Sequence, residues 1–155
     1  HPEFLQAQKL PAGLVTKDIW KNRYEDIRNF ERYLARNGMV ILKFFLQVSK
    51  KEQKERFLER LEDPQKNWKF SSTDVEERRY WNDYMNAYEE MIRHTATEYA
   101  PWYVVPADHK WFTRYAVAEI IIQRLTELNL KFPQLNKEKQ QELKNIKSNL
   151  LGKAK

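Results

Sequence analysis

From Asp18 to Asn37 the apolar residues Trp20, Tyr24, Ile27, Phe30 and Leu34 recur at helical spacing. Gly38 follows where a left-handed C-terminal cap is expected. Met39 to Val48 is a nearly continuous apolar run rich in β-formers, the pattern of a parallel strand covered on both faces. Ser49 and Glu52 have capping-box spacing and predict a helix that ends near Asp63-Pro64. Gln65 to Ser72 reads as a loop, after which Thr73 and Glu76 repeat the capping-box spacing. The long helix predicted next carries Trp81, Tyr84, Met85, Tyr88, Met91 and Ile92 along one face, a stripe expected in the core. Trp102 to Val105 predicts a second strand, closed by Pro106. Asp108 then stands as the cap of a helix from His109 to about Asn129, with Phe112, Val117, Ile120, Ile121, Leu125 and Leu128 on its buried face. Residues 136–151 predict a Lys-rich helix with a sparse stripe of Leu143, Ile146 and Leu150. Residues 1–17, broken by Pro and Gly, are expected to be irregular apart from one short turn.

The order helix, strand, helix, helix, strand, helix predicts an α/β fold with parallel strands joined by crossovers. Parallel sheets are normally covered on both faces, and two strands alone leave long free edges. Part of the sheet is therefore expected from elsewhere, either another chain or the rest of a larger domain. The chain starts His1-Pro2 without an initiator Met, which also leads us to expect that residue 1 is not the natural start.

Composition narrows the choices. A length of 155 residues suits one domain, and 41% hydrophobic with 14% aromatic residues can build a core. Lys43 and Gln47 interrupt the longest apolar run, so no membrane span is expected. The chain has no cysteine, which excludes disulfides and thiolate metal sites and fits a reducing cytoplasm. The net charge is +6. Residues 131–155 hold seven lysines against two glutamates, a net of +5, which leaves +1 for residues 1–130. A nearly balanced body with a basic tail, and no evident exposed aromatic platform, argues against a nucleic-acid-binding domain.

With only Gly13, Gly38 and Gly152, neither the Walker A pattern nor a dinucleotide fingerprint occurs. His1, His94 and His109 lack metal-ligand spacing, so no metal site is assigned. The cations are more informative. Arg56 and Arg60 share one helix face, where like charges repel unless anions separate them. They are either ordinary surface partners of Glu52, Glu55, Glu59 and Glu62 or part of an anion site. Lys66 and Lys69 flank Trp68 in the loop, which is either a solvated loop anchored by its Trp or an anion-binding lid. Lys43, inside an apolar strand, is either a structural ion-pair partner or a residue facing a cleft. Asp108, Lys110 and Arg114 follow the second strand, at the end where open α/β sheets bind ligands. They are either a cap with two solvated cations or phosphate or nucleobase contacts.

Several segments together carry a family resemblance. They are HPEF at the start, LKFFLQVSKKEQKERFLERLEDPQKNWKFS from Leu42, W-N-D-Y-x-x-A-Y-E-E-M from Trp81, and APW-Y-V-V-P-A-D-H-K-W-F-x-R from Ala100. Over roughly residues 1–130 the chain resembles the later half of type 2 polyphosphate kinases. That resemblance implies a P-loop-kinase-like three-layer sandwich, here with only the later strands, the lid and the C-terminal helices. It implies a lid at about residues 50–72, with Arg56, Arg60, Lys66 and Lys69 facing phosphate and Trp68 bracing the loop. Lys43 would sit on a strand beside the cleft, with Asp108, Lys110 and Arg114 in support. It further implies Mg²⁺, inorganic polyphosphate, adenine or guanine nucleotides, homo-oligomeric assembly and a cytoplasmic location. The family's phosphate-binding loop and acidic metal-binding segment would precede His1. No catalytic residue is therefore assigned, and residues 1–155 alone are expected to be inactive. Residues 131–155 form a tail outside the resemblance. The competing reading is a non-enzymatic basic helical module that binds nucleic acid or protein.

Overall fold

A computed structural model of the chain describes Leu5 and residues 7–152, without the side chains of Ala12 and Lys69. The HPEF motif, residues 1–4, lies outside the described residues. The chain forms two compact units, His1–Val117 and Ala118–Lys155.

In the first unit, α1 spans Ile19–Arg36. Gly38, at φ +84°, ends it. The Gly38 amide donates to Ala35 O at 3.0 Å and the Met39 amide to Leu34 O at 3.1 Å, the two bonds of a Schellman motif. The next elements are β1 (Lys43–Gln47), α2 (Lys50–Glu62), α3 (Ser72–Glu77), α4 (Trp81–Thr95) and β2 (Trp102–Pro106). α5 spans Lys110–Glu127 and crosses into the second unit, where α6 spans Lys137–Leu150.

β1 and β2 are parallel neighbours, with Lys43 opposite Trp102 and Gln47 opposite Pro106. The expected parallel α/β arrangement is thus present. The face of β1 that carries Phe45 meets α4, where the Phe45 and Tyr88 rings lie 5.0 Å apart. α1 packs against α4 as well: Tyr24 stacks on His94 at 5.2 Å, and Arg28 donates to the His94 carbonyl.

The structure corrects several sequence expectations. The apolar run from Met39 to Val48 yields a strand of five residues rather than ten, and it is not covered on both faces. Leu46 remains 48% exposed and Val104, on β2, 56%. The aromatic stripe of α4 is half-buried rather than a sealed core. The long helix expected after Thr73 is broken: α3 has six residues and a 3₁₀ turn at Arg78–Tyr80 precedes α4. The cap of α3 is Ser71, whose hydroxyl accepts the Thr73 amide at 3.2 Å, and not Thr73. Of the face of α5 expected to be buried, Val117 and Ile120 are half-buried while Ile121 and Leu125 are exposed, as is Leu128 just past the helix. Periodicity marks a face as apolar, but only a neighbouring element can bury it. Individual aromatic side chains are exposed, with Trp68 at 74% and Trp111 at 71%.

Candidate functional site

The carboxyl ends of β1 and β2 lie side by side, because the strands are parallel and in register to Gln47 and Pro106. The ladder runs one residue further, the Ala107 amide donating to Gln47 O at 2.8 Å. Each chain segment then turns into a helix, so the starts of α2 and α5 converge at this edge.

Ser49 caps α2 by accepting the Glu52 amide at 3.1 Å. The second half of the expected capping box does not form. The Ser49 amide instead donates to Asp108 Oδ1 at 2.7 Å, across 59 residues of sequence. The expectation that Asp108 caps its own helix is thereby corrected, since its carboxylate binds the start of α2. That helix offers an unpaired amide within reach, and a carboxylate at a helix N-terminus also meets the positive end of the dipole. The Ser49 amide, followed by the Ser49 hydroxyl, holds the Asp108 carboxyl below its usual range.

Arg56 closes the same junction. Its Nε donates to Glu52 Oε1 at 2.8 Å, while Nη2 donates to Ala107 O at 2.5 Å and sits 3.4 Å from Asp108 O. The guanidinium therefore ties α2 to the loop after β2. Arg60, one turn later and half-buried, has no hydrogen-bond or ion-pair partner among the described residues.

Lys66 pairs with Asp63 at 2.6 Å, and both are accessible. Their hydrogen bond draws the Asp63 carboxyl below its usual range and raises the Lys66 ammonium above its own. The Trp68 indole N–H donates to Gln65 O at 3.1 Å, and the side chain is 74% exposed. The Lys69 side chain lies outside the described residues. Lys110 and Arg114 are exposed on the first turns of α5.

Lys43 does not join this group. It opens β1 at the amino end, four residues or ~13 Å of strand away from the carboxyl end. Its ammonium donates to both Glu31 oxygens, at 2.9 and 2.7 Å, and to Thr95 O at 2.8 Å. It also lies 5.2 Å from the Trp102 ring. Of its two readings, the geometry is that of the ion pair.

Sequence reasoning passed over Arg78, which donates to Lys50 O at 2.7 Å and Gln53 Oε1 at 2.8 Å and so fastens the α3–α4 break to α2. The only local hint is the paired Arg78-Arg79 just past the acidic α3. Among the described residues no group of three or more His, Asp or Glu side chains converges, so no metal ligand set is drawn from this chain.

The family model for polyphosphate kinase 2 matches residues 9–133. The chain is 45% identical over 152 residues to the ADP-polyphosphate phosphotransferase of Rhodopseudomonas palustris, a match covering 97% of the chain and 53% of that protein. It is 50% identical over 122 residues to the AMP/ADP-polyphosphate phosphotransferase of Meiothermus ruber, covering 79% of the chain and 46% of the relative. The crystal structure of polyphosphate kinase 2 from Arthrobacter aurescens superposes with a TM-score of 0.76 at 41% identity, over 84% of the chain and 47% of that protein. The match thus spans about half the length of each of these three proteins.

Proposed function

This chain belongs to the polyphosphate kinase 2 family, and on that premise we propose that the protein transfers phosphoryl groups between inorganic polyphosphate and nucleoside mono- or diphosphates. The observation that carries the proposal is the family match over residues 9–133, within which Arg56 ties the start of α2 to the loop after β2 at the carboxyl ends of two parallel strands. That end of an open α/β sheet is where ligands bind.

The cations divide by what they already touch. Arg56 is occupied by three protein oxygens, so its role in this reading is to hold the root of α2. Arg60, without a partner among the described residues, is the guanidinium available to phosphate. Lys66 releases Asp63 in exchange for a phosphate oxygen, since an exposed ion pair is a weak competitor. Residues 50–72, with Lys69 and with Trp68 bracing the loop, then act as a lid. Each charge-assisted contact contributes ~1.5–3 kcal/mol once the closed lid excludes water. Such positioned cations stabilise the charge spread over a transferring phosphoryl group. Lys110 and Arg114 lie at the same strand ends and support the anion.

Mg²⁺, guanine as well as adenine nucleotides, homo-oligomeric assembly and a cytoplasmic location come to this reading from the family resemblance. Among the described residues no ligand set meets the metal, so the roles assigned to this chain concern the anion alone. Residues 131–155 were expected to lie outside the resemblance, but the match to the Rhodopseudomonas palustris relative covers 97% of the chain and so runs into them.

The test is synthesis of ATP from ADP, or ADP from AMP, with polyphosphate and Mg²⁺, using the full-length protein. Arg60→Ala should raise the KM for polyphosphate by about tenfold or more, from the loss of one charged contact. A full-length protein that forms neither product ends the proposal.

A further inference from the structure

The second unit carries a charged surface of its own. α6 lies past residue 133, where the family-model match ends. Asn136 starts the helix by accepting the Lys139 amide on Oδ1 at 2.8 Å, and every residue of α6 is exposed. At 3.6 residues per turn, Lys137, Lys144 and Lys147 fall within an arc of about 80°. Gln140 lies between them, and Gln141 and Ser148 border them, so this face bears no acid. Glu138 and Glu142 fall on the opposite side, where Glu142 pairs with Lys139 at 2.7 Å. Lys137, Lys144 and Lys147 have no hydrogen-bond or ion-pair partner among the described residues.

The three ammoniums are spread over ~15 Å of helix. A single phosphate engages one of them at a time, whereas a chain with a charge on every phosphate engages all three. Residues 131–155 hold seven lysines and no arginine. Lysines supply point charges on flexible stems, which suits a polyanion whose units rotate freely. Nucleic acid fits less well, because α6 has no aromatic side chain on which a base could stack. An anionic membrane fits less well too. The stripe of Leu143, Ile146 and Leu150 is bordered on one side by Glu142, where membrane binding calls for cations.

We propose that the acid-free face formed by Lys137, Lys144 and Lys147 tethers the body of a long inorganic polyphosphate chain while its end reacts. The inference rests on the phosphotransfer reading and adds a dependence on chain length. A chain held by the tether presents its reacting end at a raised effective concentration, with the polyphosphate itself as the flexible link. Tripolyphosphate, once engaged for reaction, leaves no phosphates over for the tether and gains nothing.

The test uses the full-length protein and two triple variants. One is Lys137→Gln with Lys144→Gln and Lys147→Gln, and the other replaces the same lysines by Arg. The Gln variant should raise the KM for long-chain polyphosphate by about tenfold, with kcat and the tripolyphosphate KM unchanged. The Arg variant should keep the wild-type values, and added salt should shrink the difference between wild type and Gln variant. An unchanged long-chain KM in the Gln variant overturns the inference and leaves the phosphotransfer reading intact. An equal rise in both KM values also overturns it. Binding of end-labelled long-chain polyphosphate, followed by fluorescence anisotropy, separates the two readings. A wild-type protein that transfers nothing, yet binds this probe through the three lysines, ends the phosphotransfer reading and keeps the tether. Displacement of the probe by single-stranded DNA at equal charge concentration, or by phosphatidylserine vesicles, assigns the face to another partner and overturns the inference.

Discussion

Lys43 and Glu31 are the most enclosed ion pair of the first unit among the described residues, with side chains 12% and 11% exposed. An ammonium there is tolerable because three oxygens receive it, two from Glu31 and one from Thr95. Removing one partner of such a pair strands the other charge. Glu31→Gln should therefore cost ~3 kcal/mol in urea unfolding, and the double change Glu31→Leu with Lys43→Met should recover most of it. A double variant no better than the single one would show that the pair itself supplies the stability. Asp108 offers a pH test. Its folded pKa lies below the ordinary 3.8, so its contribution is fully present above that value and is lost as pH falls through the lower folded value. Asp108→Asn should flatten the melting temperature's pH dependence below about 3.8, and a profile parallel to the wild type would refute the assignment.

At the scale of elements, caps and breaks matter more than propensity. Gly38 adopts a conformation that costs an L-residue with a Cβ about 1 kcal/mol, so Gly38→Ala should lower stability by about that amount. Ser49→Ala removes the hydroxyl that caps α2, at ~1 kcal/mol, and should also loosen the Asp108 junction. Hydrogen exchange in the first turn of α2 measures both effects; protection equal to wild type would mean the cap is dispensable. The break between α3 and α4 was not legible, because Arg78–Tyr80 has no Gly or Pro to announce it. It is held by Arg78 reaching α2, a contact that no local pattern encodes.

For the molecule as a whole, the small sheet is the decisive feature. Among the described residues β1 and β2 pair only with each other, and each leaves one edge and an apolar residue, Leu46 or Val104, partly open. Unpaired edges and exposed apolar surface favour association. Residues 1–155 produced alone should therefore sediment as dimers or larger at micromolar concentration. A clean monomer would show that the free edges are protected by other means.

What local chemistry dictates was readable without coordinates. The 3.6-residue spacing from Trp20 to Leu34, Gly38 at the end of that helix, the Ser49 cap and the two β-rich runs each act over a few residues. The parallel pairing followed from the element order, because a helical crossover returns the chain to the same end of the sheet. What the sequence left open was the choice among partners. Arg56 and Arg60 look alike along the chain, yet one is bound to Ala107 O and the other has no partner among the described residues. Asp108 could serve its own helix or another, and Lys43 could pair or face a cleft. These choices join residues dozens of positions apart, so only the fold's alignment of the two strand ends, and of α1 with β1, decides them. The expected burial of the α5 face failed in part at Ile121 and Leu125 for the same reason: an apolar stripe is a property of one helix, while its covering is a property of its neighbours.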